Sequence, residues 1–155
     1  MQPRMRDHQL DREATELLLQ EVPTGFLASI SPDGRPYVTP VHFVFIEGKI
    51  YVHGNPKGTK IDNLKRDPRV SFTVVADGGI IHGDEACETN TRFRSAIIQG
   101  EARMLSEPAR ALIVLDAFVQ KYTPQHFGRE LPPGKVKATG IIEVDILSAT
   151  GKYYS

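Results

Sequence analysis

The stretch PYVTPVHFVFIEGKIYVHG, residues 36–54, decides the fold. Tyr37–Ile46 is rich in valine and phenylalanine, and Lys49–Gly54 has the same strand-like character. Only Glu47 and Gly48 separate the two runs, a length typical of a tight hairpin between antiparallel strands. Alternation along this hairpin predicts three cross-strand pairs. They are Ile46 with Lys49, Val44 with Tyr51, and His42 with His53.

Apolar patterns on both sides of the hairpin predict further strands and helices. The other strand patterns cover residues 25–31, 70–75, 95–105 and 140–147, with a bulge or bend at Gly100. Helices are predicted from Leu10 to the Val22-Pro23 break, over 59–66 and over 108–122. The first should bury Leu10, Ala14, Leu17 and Leu18, and the third Ala111, Leu112, Leu115 and Phe118. Residues 76–92 and 123–136 are predicted loops, because they are polar or rich in proline and glycine.

The order of these elements indicates the fold class. The strands follow one another as hairpins and do not alternate regularly with helices, which argues against a doubly wound parallel sheet. We therefore expect a mainly β protein, an antiparallel barrel of roughly six strands with helices packed outside it. Residues 1–9 are predicted to be a flexible leader, and residues 10–155 a single domain.

Composition excludes several classes of function. The chain has 155 residues, 19 basic and 19 acidic, and this balance argues against duplex DNA as a partner. Cys87 is the single cysteine, so neither an intramolecular disulfide nor a zinc site of several thiolates is possible. No apolar run reaches the length of a membrane span, and the polar start lacks the core of a signal peptide. We expect a cytoplasmic protein without membrane or nucleic-acid partners.

The stretch NPKGTK, residues 55–60, is a candidate phosphate site. A strand ends, a glycine turn follows, and a helix begins with a hydroxyl group and a nearby lysine. The free amides at a helix N-terminus favour negative charge, and lysines strengthen that preference. The alternative is a capped helix start with solvated lysines, since Thr59 and Asp62 have capping-box spacing. The stretch lacks the spacing of a P-loop.

Two further patterns lie in the hairpin. Pro36 and Pro40 interrupt a strong strand pattern, which either protects a sheet edge or frees backbone groups to bind the polar edge of a planar ring. His42 and His53 form a poor metal site without a third ligand. The cluster at residues 82–87 has suitable side chains, but such loop clusters are usually solvated, and we expect no metal.

The ordered series of motifs resembles the flavin-binding split barrels related to pyridoxamine 5′-phosphate oxidase. The resemblance extends over roughly residues 10–152. It is carried by the segments 25–31, 32–36, 37–41, 48–53, 57–64, 67–72, 92–95 and 150–152. Cys87, a few residues ahead of Arg92-Phe93-Arg94-Ser95, is similar to the nitroimidazole-reductase branch. True pyridoxamine phosphate oxidases carry an Arg-Gln pair at Arg94-Ser95 and a tryptophan near the C-terminus. This chain has neither, so the resemblance does not extend to vitamin biosynthesis.

The resemblance implies a six-stranded split barrel, a homodimer, and one FMN at each of two interface clefts. It places 38–41 along the isoalloxazine ring, Thr59 and Lys60 at the phosphate, Ser95 near the cofactor, and the candidate catalytic residue His53 beside the flavin. The predicted cofactor-binding residues are Val38, Thr39, Pro40, Val41, His53, Gly54, Asn55, Lys57, Thr59, Lys60 and Ser95. The implied function is an oxidoreductase that reduces a small planar acceptor such as a nitroaromatic. The alternatives are a deazaflavin-dependent reductase of the same fold, or a flavin- or haem-binding module without turnover.

Overall fold

A computed structural model describes residues 6–155 of the chain. Its strands are β1 (Gln9–Leu10), β2 (Thr24–Ile30), β3 (Pro36–Ile46), β4 (Lys49–Gly54), β5 (Arg69–Ile81), β6 (Asn90–Met104) and β7 (Gly140–Tyr154). Its helices are α1 (Arg12–Glu21), α2 (Thr59–Arg66), α3 (Pro108–Tyr122) and α4 (Pro133–Ala138), with 3-10 turns at Ala86–Glu88 and Pro124–His126. None of the helices in this part of the chain is long and apolar enough to cross a membrane.

Six strands close into a barrel. The order β7-β4-β3-β2-β5-β6 is completed by pairing of β6 with β7, and all neighbours are antiparallel. The predicted six-stranded barrel is therefore confirmed. The seventh strand, β1, was not predicted, because two residues carry no recognisable pattern. Its Gln9 pairs with Lys152, inside the segment predicted to be a leader. Residues 1–5 of that segment lie outside the described residues.

The β3–β4 hairpin has the predicted register. Ile46 pairs with Lys49, and Val44 pairs with Tyr51. Both turn residues, Glu47 and Gly48, have positive φ, of 51° and 77°, which suits the twist of a two-residue hairpin.

The barrel interior is filled with apolar side chains from every strand of the ring. Its buried members are Leu27, Val41, Phe43, Ile50, Val52, Val70, Phe72, Val74, Ala96, Ile98, Ala102, Ile142 and Val144. Helix α1 adds Leu18 and Leu19, and α2 adds Ile61 and Leu64. Leu17, predicted to be buried, is half exposed. The correction follows from the helix start: Asp11 caps α1, and the face toward the barrel is Thr15, Leu18, Leu19 and Val22.

Helix α3 covers the outside of the barrel on one side. Val114, Leu115 and Phe118 pack against Val44, Tyr51 and Ile141 of strands β3, β4 and β7. Leu112, predicted to belong to this buried stripe, is 46% exposed, because the face toward the sheet lies on its other side.

Among residues 6–155, no helix covers the outer face across β2, β3, β5 and β6. It presents exposed apolar side chains, namely Val38 (55%), Phe26 (40%), Ile97 (46%) and Val75 (45%). Phe26 lies opposite Pro40 on one side and Thr73 on the other, and Thr73 lies opposite Ile97. Since paired residues share a face, these side chains form one patch, which we call the open face.

Four boundaries differ from the sequence prediction. β5 runs to Ile81 and β6 starts at Asn90, inside the predicted loop 76–92. β5 continues through Gly78 and Gly79 with a shift in register, which is a β-bulge. Strand propensity alone predicts a break in the strand at these two glycines. β7 continues past Leu147 to Tyr154 because β6 pairs with it throughout. The predicted loop 123–136 contains the start of the short helix α4.

Candidate functional site

The segment 38–41 of β3 has one free side. Its residues pair with β2, whereas β4 pairs only with the part of β3 from Phe43 onward. Backbone groups of an antiparallel strand point alternately to the two sides, and those of Phe43 point toward β2. By alternation, the N–H and C=O of Val38 and the C=O of Pro40 point to the free side. Pro40 removes the amide that would otherwise need a partner there.

Thr39 lies in this segment with an unusual side chain. Its Oγ1 atom is buried and has no hydrogen-bond partner. A buried hydroxyl without a partner carries an energetic cost, so such a group is a candidate for contact with a ligand. Val41, also predicted as a cofactor-binding residue, is buried in the barrel core, while Val38 and Pro40 are exposed.

Helix α2 begins without a side-chain cap. Its N-cap is Gly58, with φ of 122°, and the predicted capping box between Thr59 and Asp62 is not formed. Glycine tolerates this backbone conformation, so the helix starts one residue before the position where the hydroxyl could cap it. The backbone N–H of Asp62 bonds the Gly58 carbonyl at 3.0 Å, which leaves the earlier amides of the first turn available to an anion.

Lys60 stands at this helix start. Burial lowers its pKa, and it has no ion pair with a carboxylate among the described residues. Gly54, Asn55, Lys57 and Thr59 form the exposed approach to the helix. Within it, the Asn55 side chain accepts the Lys57 backbone N–H at 3.0 Å.

His53 and His42 stand next to each other above α3. The His53 ring centroid lies 4.0 Å from that of Phe118, and the His42 ring stacks on Tyr122 at 4.5 Å. Burial lowers the pKa of His53, and the charges of His42 and Lys60 lower it further. The sequence analysis missed the role of Phe118 and Tyr122. Their spacing of four residues at the end of an amphipathic helix was the available signal.

Ser95 lies apart from this group. It pairs with Val75 and with Lys152, and His42 pairs with Thr24. Gly25 and Val74 are also paired, so three strand spacings separate His42 from Ser95. At about 4.8 Å for each spacing, the distance is roughly 14 Å. The structure therefore brings together the histidines, Lys60 and the β3 edge, but not Ser95.

A large surface cavity lies elsewhere. It has a volume of about 900 Å³ between α3 and residues 127–139, and no predicted cofactor-binding residue lines it. Most of the predicted cofactor-binding residues lie instead on exposed surface. Within residues 6–155, no group of three His, Cys, Asp or Glu side chains is arranged to hold a metal ion.

Comparison with known proteins places this geometry in a family. The family model for pyridoxamine 5′-phosphate oxidase matches residues 11–153. Among solved structures, a flavocytochrome from Azotobacter vinelandii is 25% identical, with a TM-score of 0.82, over 94% of this chain and 68% of that one.

Two other structures show the same fold. A protein described as a candidate 5-nitroimidazole antibiotic resistance protein from Bacteroides thetaiotaomicron is 23% identical, with a TM-score of 0.80, over 93% of this chain and 85% of that one. A FAD- and heme-binding protein from Mycobacterium smegmatis is 21% identical, with a TM-score of 0.82, over 96% and 74% of the two chains. The chain belongs to the pyridoxamine 5′-phosphate oxidase-like family of split barrels, because the family model matches nearly its whole length.

Proposed function

We propose that the protein binds FMN between two copies of the chain and reduces a small planar acceptor such as a nitroaromatic. The observation that carries this proposal is the combination of an uncapped helix start with Lys60, a cation that has no carboxylate partner among residues 6–155. A phosphate group satisfies both the free amides and the ammonium group.

The β3 edge fits the other end of the cofactor. An isoalloxazine ring has a polar rim of carbonyl and N–H groups and two apolar faces. The backbone groups of Val38 and Pro40 on the free side of β3 suit that rim, and the buried hydroxyl of Thr39 lacks a partner. The apolar side chains of the open face suit a ring face.

FMN, when bound, supplies the transfer of electrons to the acceptor. The chain's own residues have three tasks. Thr59 and Lys60 hold the phosphate, and the 38–41 segment orients the ring. His53 supplies or orients a proton for the acceptor, because a histidine exchanges protons readily near neutral pH. Its lowered pKa favours the neutral ring, which has one N–H donor and one acceptor nitrogen.

A second copy of the chain completes the site in this proposal. Most of the predicted cofactor-binding residues are exposed in a single copy, and exposed apolar side chains lie on the adjoining open face. Ser95 is about three strands from His42 on the same open face. In a two-fold dimer through this face, Ser95 of one copy approaches the cofactor held by its partner.

A second candidate function is a flavin- or haem-binding module without turnover. The similarity to a flavocytochrome at 25% identity favours this alternative over other non-enzymatic roles. A deazaflavin-dependent reductase is the other form of the enzyme proposal.

The decisive experiment is mass spectrometry of the ligand released from the purified full chain, followed by a steady-state assay. The assay offers NADH or NADPH together with several nitroaromatic acceptors. Release of FMN and turnover support the proposal. Release of a deazaflavin or of haem favours the corresponding alternative, and FMN binding without any turnover favours the module. Failure to bind added FMN overturns the proposal.

A further inference from the structure

Two histidines on neighbouring strands share one aromatic platform. Phe118 and Tyr122, one turn apart on α3, stack on each other with centroids 5.8 Å apart. His53 rests on the first and His42 on the second, at 4.0 Å and 4.5 Å. Each histidine lies next to the last pair of the hairpin register, Phe43 with Val52, and His42 is close enough for its charge to lower the pKa of His53. Both rings thus contact α3, and both histidines are exposed to solvent.

The ring nitrogens of this pair are free to bind a ligand. Neither histidine has a hydrogen-bond partner among residues 6–155. His42 stacks on Tyr122 and His53 packs at a tilt against Phe118, which limits the orientation of both rings while their ring nitrogens remain unused. A ligand that hydrogen-bonds to both rings would therefore lose little binding free energy to the ordering of their side chains.

The surroundings of the pair are positively charged. Lys60 of α2 is close enough to lower the pKa of His53. Lys121 of α3 is engaged elsewhere, because its Nζ atom donates to the Leu19 carbonyl at 3.3 Å and lies 4.0 Å from the ring centroid of the core residue Phe43. None of these lysines or histidines forms an ion pair with a carboxylate in the described part of the chain. Such a cluster disfavours a cationic ligand and favours an oxyanion.

We propose that His42 and His53 together bind a carboxylate carried by an aromatic acceptor, which makes His42 a specificity-determining residue. This inference rests on the proposed function, since it places the acceptor beside the bound flavin. The pair lies next to the free edge of 38–41, and each imidazole ring has an N–H group to donate. A carboxylate has two oxygens to accept them.

The experiment uses the full chain with ¹³C-labelled histidine and follows the ring Cε1–H signals by NMR. Benzoate is titrated as the probe, with benzamide as its neutral counterpart. We expect benzoate to shift the signals of His42 and His53 and to raise the pKa of His53, since an added negative charge favours the protonated ring. The signals of exposed His82 and His126 serve as internal controls and should not move.

Two variants test the assignment. His42→Gln should weaken benzoate binding about tenfold or more, the scale of a charge-assisted hydrogen bond, whereas His82→Gln should leave it unchanged. FMN affinity of His42→Gln is measured in parallel and should stay within a factor of about three, because Lys60 and α2 carry the phosphate.

Several outcomes would overturn the inference. These are equal shifts with benzamide, no benzoate response, or unchanged benzoate affinity in His42→Gln. Loss of the benzoate response once FMN is bound would assign the oxyanion site to the cofactor phosphate and not to an acceptor. If FMN binds normally while benzoate does not, only this inference fails. If FMN does not bind at all, the proposed function fails, whatever benzoate does.

Discussion

The hydroxyl of Tyr122 lies 2.9 Å from the backbone nitrogen of Phe43 and 2.7 Å from its carbonyl oxygen. It accepts the amide proton, and it also lies 2.7 Å from the carbonyl of Pro23. Tyr122 can occupy this position because β2 starts at Thr24, which leaves this part of β3 without a strand partner on that side. A side chain of α3 thus replaces a strand, and the same ring carries His42.

The first prediction follows from this contact. Tyr122→Phe keeps the ring under His42 but leaves a buried backbone N–H and C=O without a partner. We expect the free energy of unfolding to fall by about 1–3 kcal/mol, measured by urea denaturation. Tyr37→Phe, at an exposed tyrosine, is the matched control and should change stability much less. Equal stability of the wild type and Tyr122→Phe would contradict this role.

The second prediction concerns Lys121 and pH. Burial lowers its pKa from 10.5 to about 8. Between these two values the unfolded chain binds the proton and the folded chain does not, so this lysine adds stability as pH rises. Below pH 8 both states are protonated, and the burial cost is fully present. Relative to Lys121→Met, the wild type should gain stability from pH 8 to pH 10.5.

Thermal or urea unfolding at several pH values measures this difference. Lys65→Met, at an exposed lysine of α2, serves as the control and should run parallel to the wild type. A constant difference between wild type and Lys121→Met across this pH range would show that Lys121 titrates normally.

The third prediction tests the phosphate contact. Lys60→Ala should weaken FMN about ten- to a hundredfold, the range of a charge-assisted hydrogen bond, and should weaken riboflavin far less. Riboflavin has no phosphate, so it reports any loss of structure. Calorimetry measures both affinities, with Lys65→Ala at the other end of the same helix as the control. Equal losses for FMN and riboflavin would mean that Lys60 is only solvated.

The fourth prediction tests His53. With FMN occupancy held at the wild-type level, His53→Ala and His53→Gln should lower turnover on the order of a hundredfold, the usual scale for an acid–base group. The flavin absorbance of each variant gives the occupancy before the assay. Unchanged turnover at full occupancy would leave His53 as a side chain that only packs on the flavin edge.

The fifth prediction concerns the open face. Ile97→Lys places a charge in the centre of the apolar patch and should give a 17.2 kDa monomer with much weaker FMN binding. Leu147→Lys, at an exposed leucine beyond the patch, is the control. Sedimentation at micromolar concentration distinguishes the two states. A wild-type monomer that binds FMN fully would remove the dimer from the proposal.

The sequence was most informative where local rules and packing agree. The hairpin through Glu47 and Gly48, helix α3 from Pro108 to Tyr122, and the irregularity at Gly100 were all predictable. Gly100 has a further reason, since a Cβ atom there would lie 2.4 Å from the carbonyl oxygen of Asp145. Long-range pairing decided the rest. The part of β7 beyond Leu147 forms a strand because β6 pairs with it throughout.

The candidate site was predictable as separate motifs but not as an arrangement. The segment 55–60 and the prolines of β3 each had two interpretations in the sequence. The absence of a cap at Gly58 and the unpartnered hydroxyl of Thr39 emerge only from packing. The platform under His42 and His53 depends on where α3 crosses the barrel, which no local pattern encodes.

The closed ring also limits how copies of the chain can associate. Every strand from β2 to β7 has a paired neighbour on both sides, and β1 extends the pairing along β7. Unpaired edges are confined to short segments such as 38–41 of β3, so the sheet offers little template for adding strands from another chain, which is the usual route to ordered aggregates. Association is therefore directed to side-chain surfaces. The open face can therefore serve in recognition with less of the aggregation risk that an exposed apolar patch carries on a sheet with long free edges.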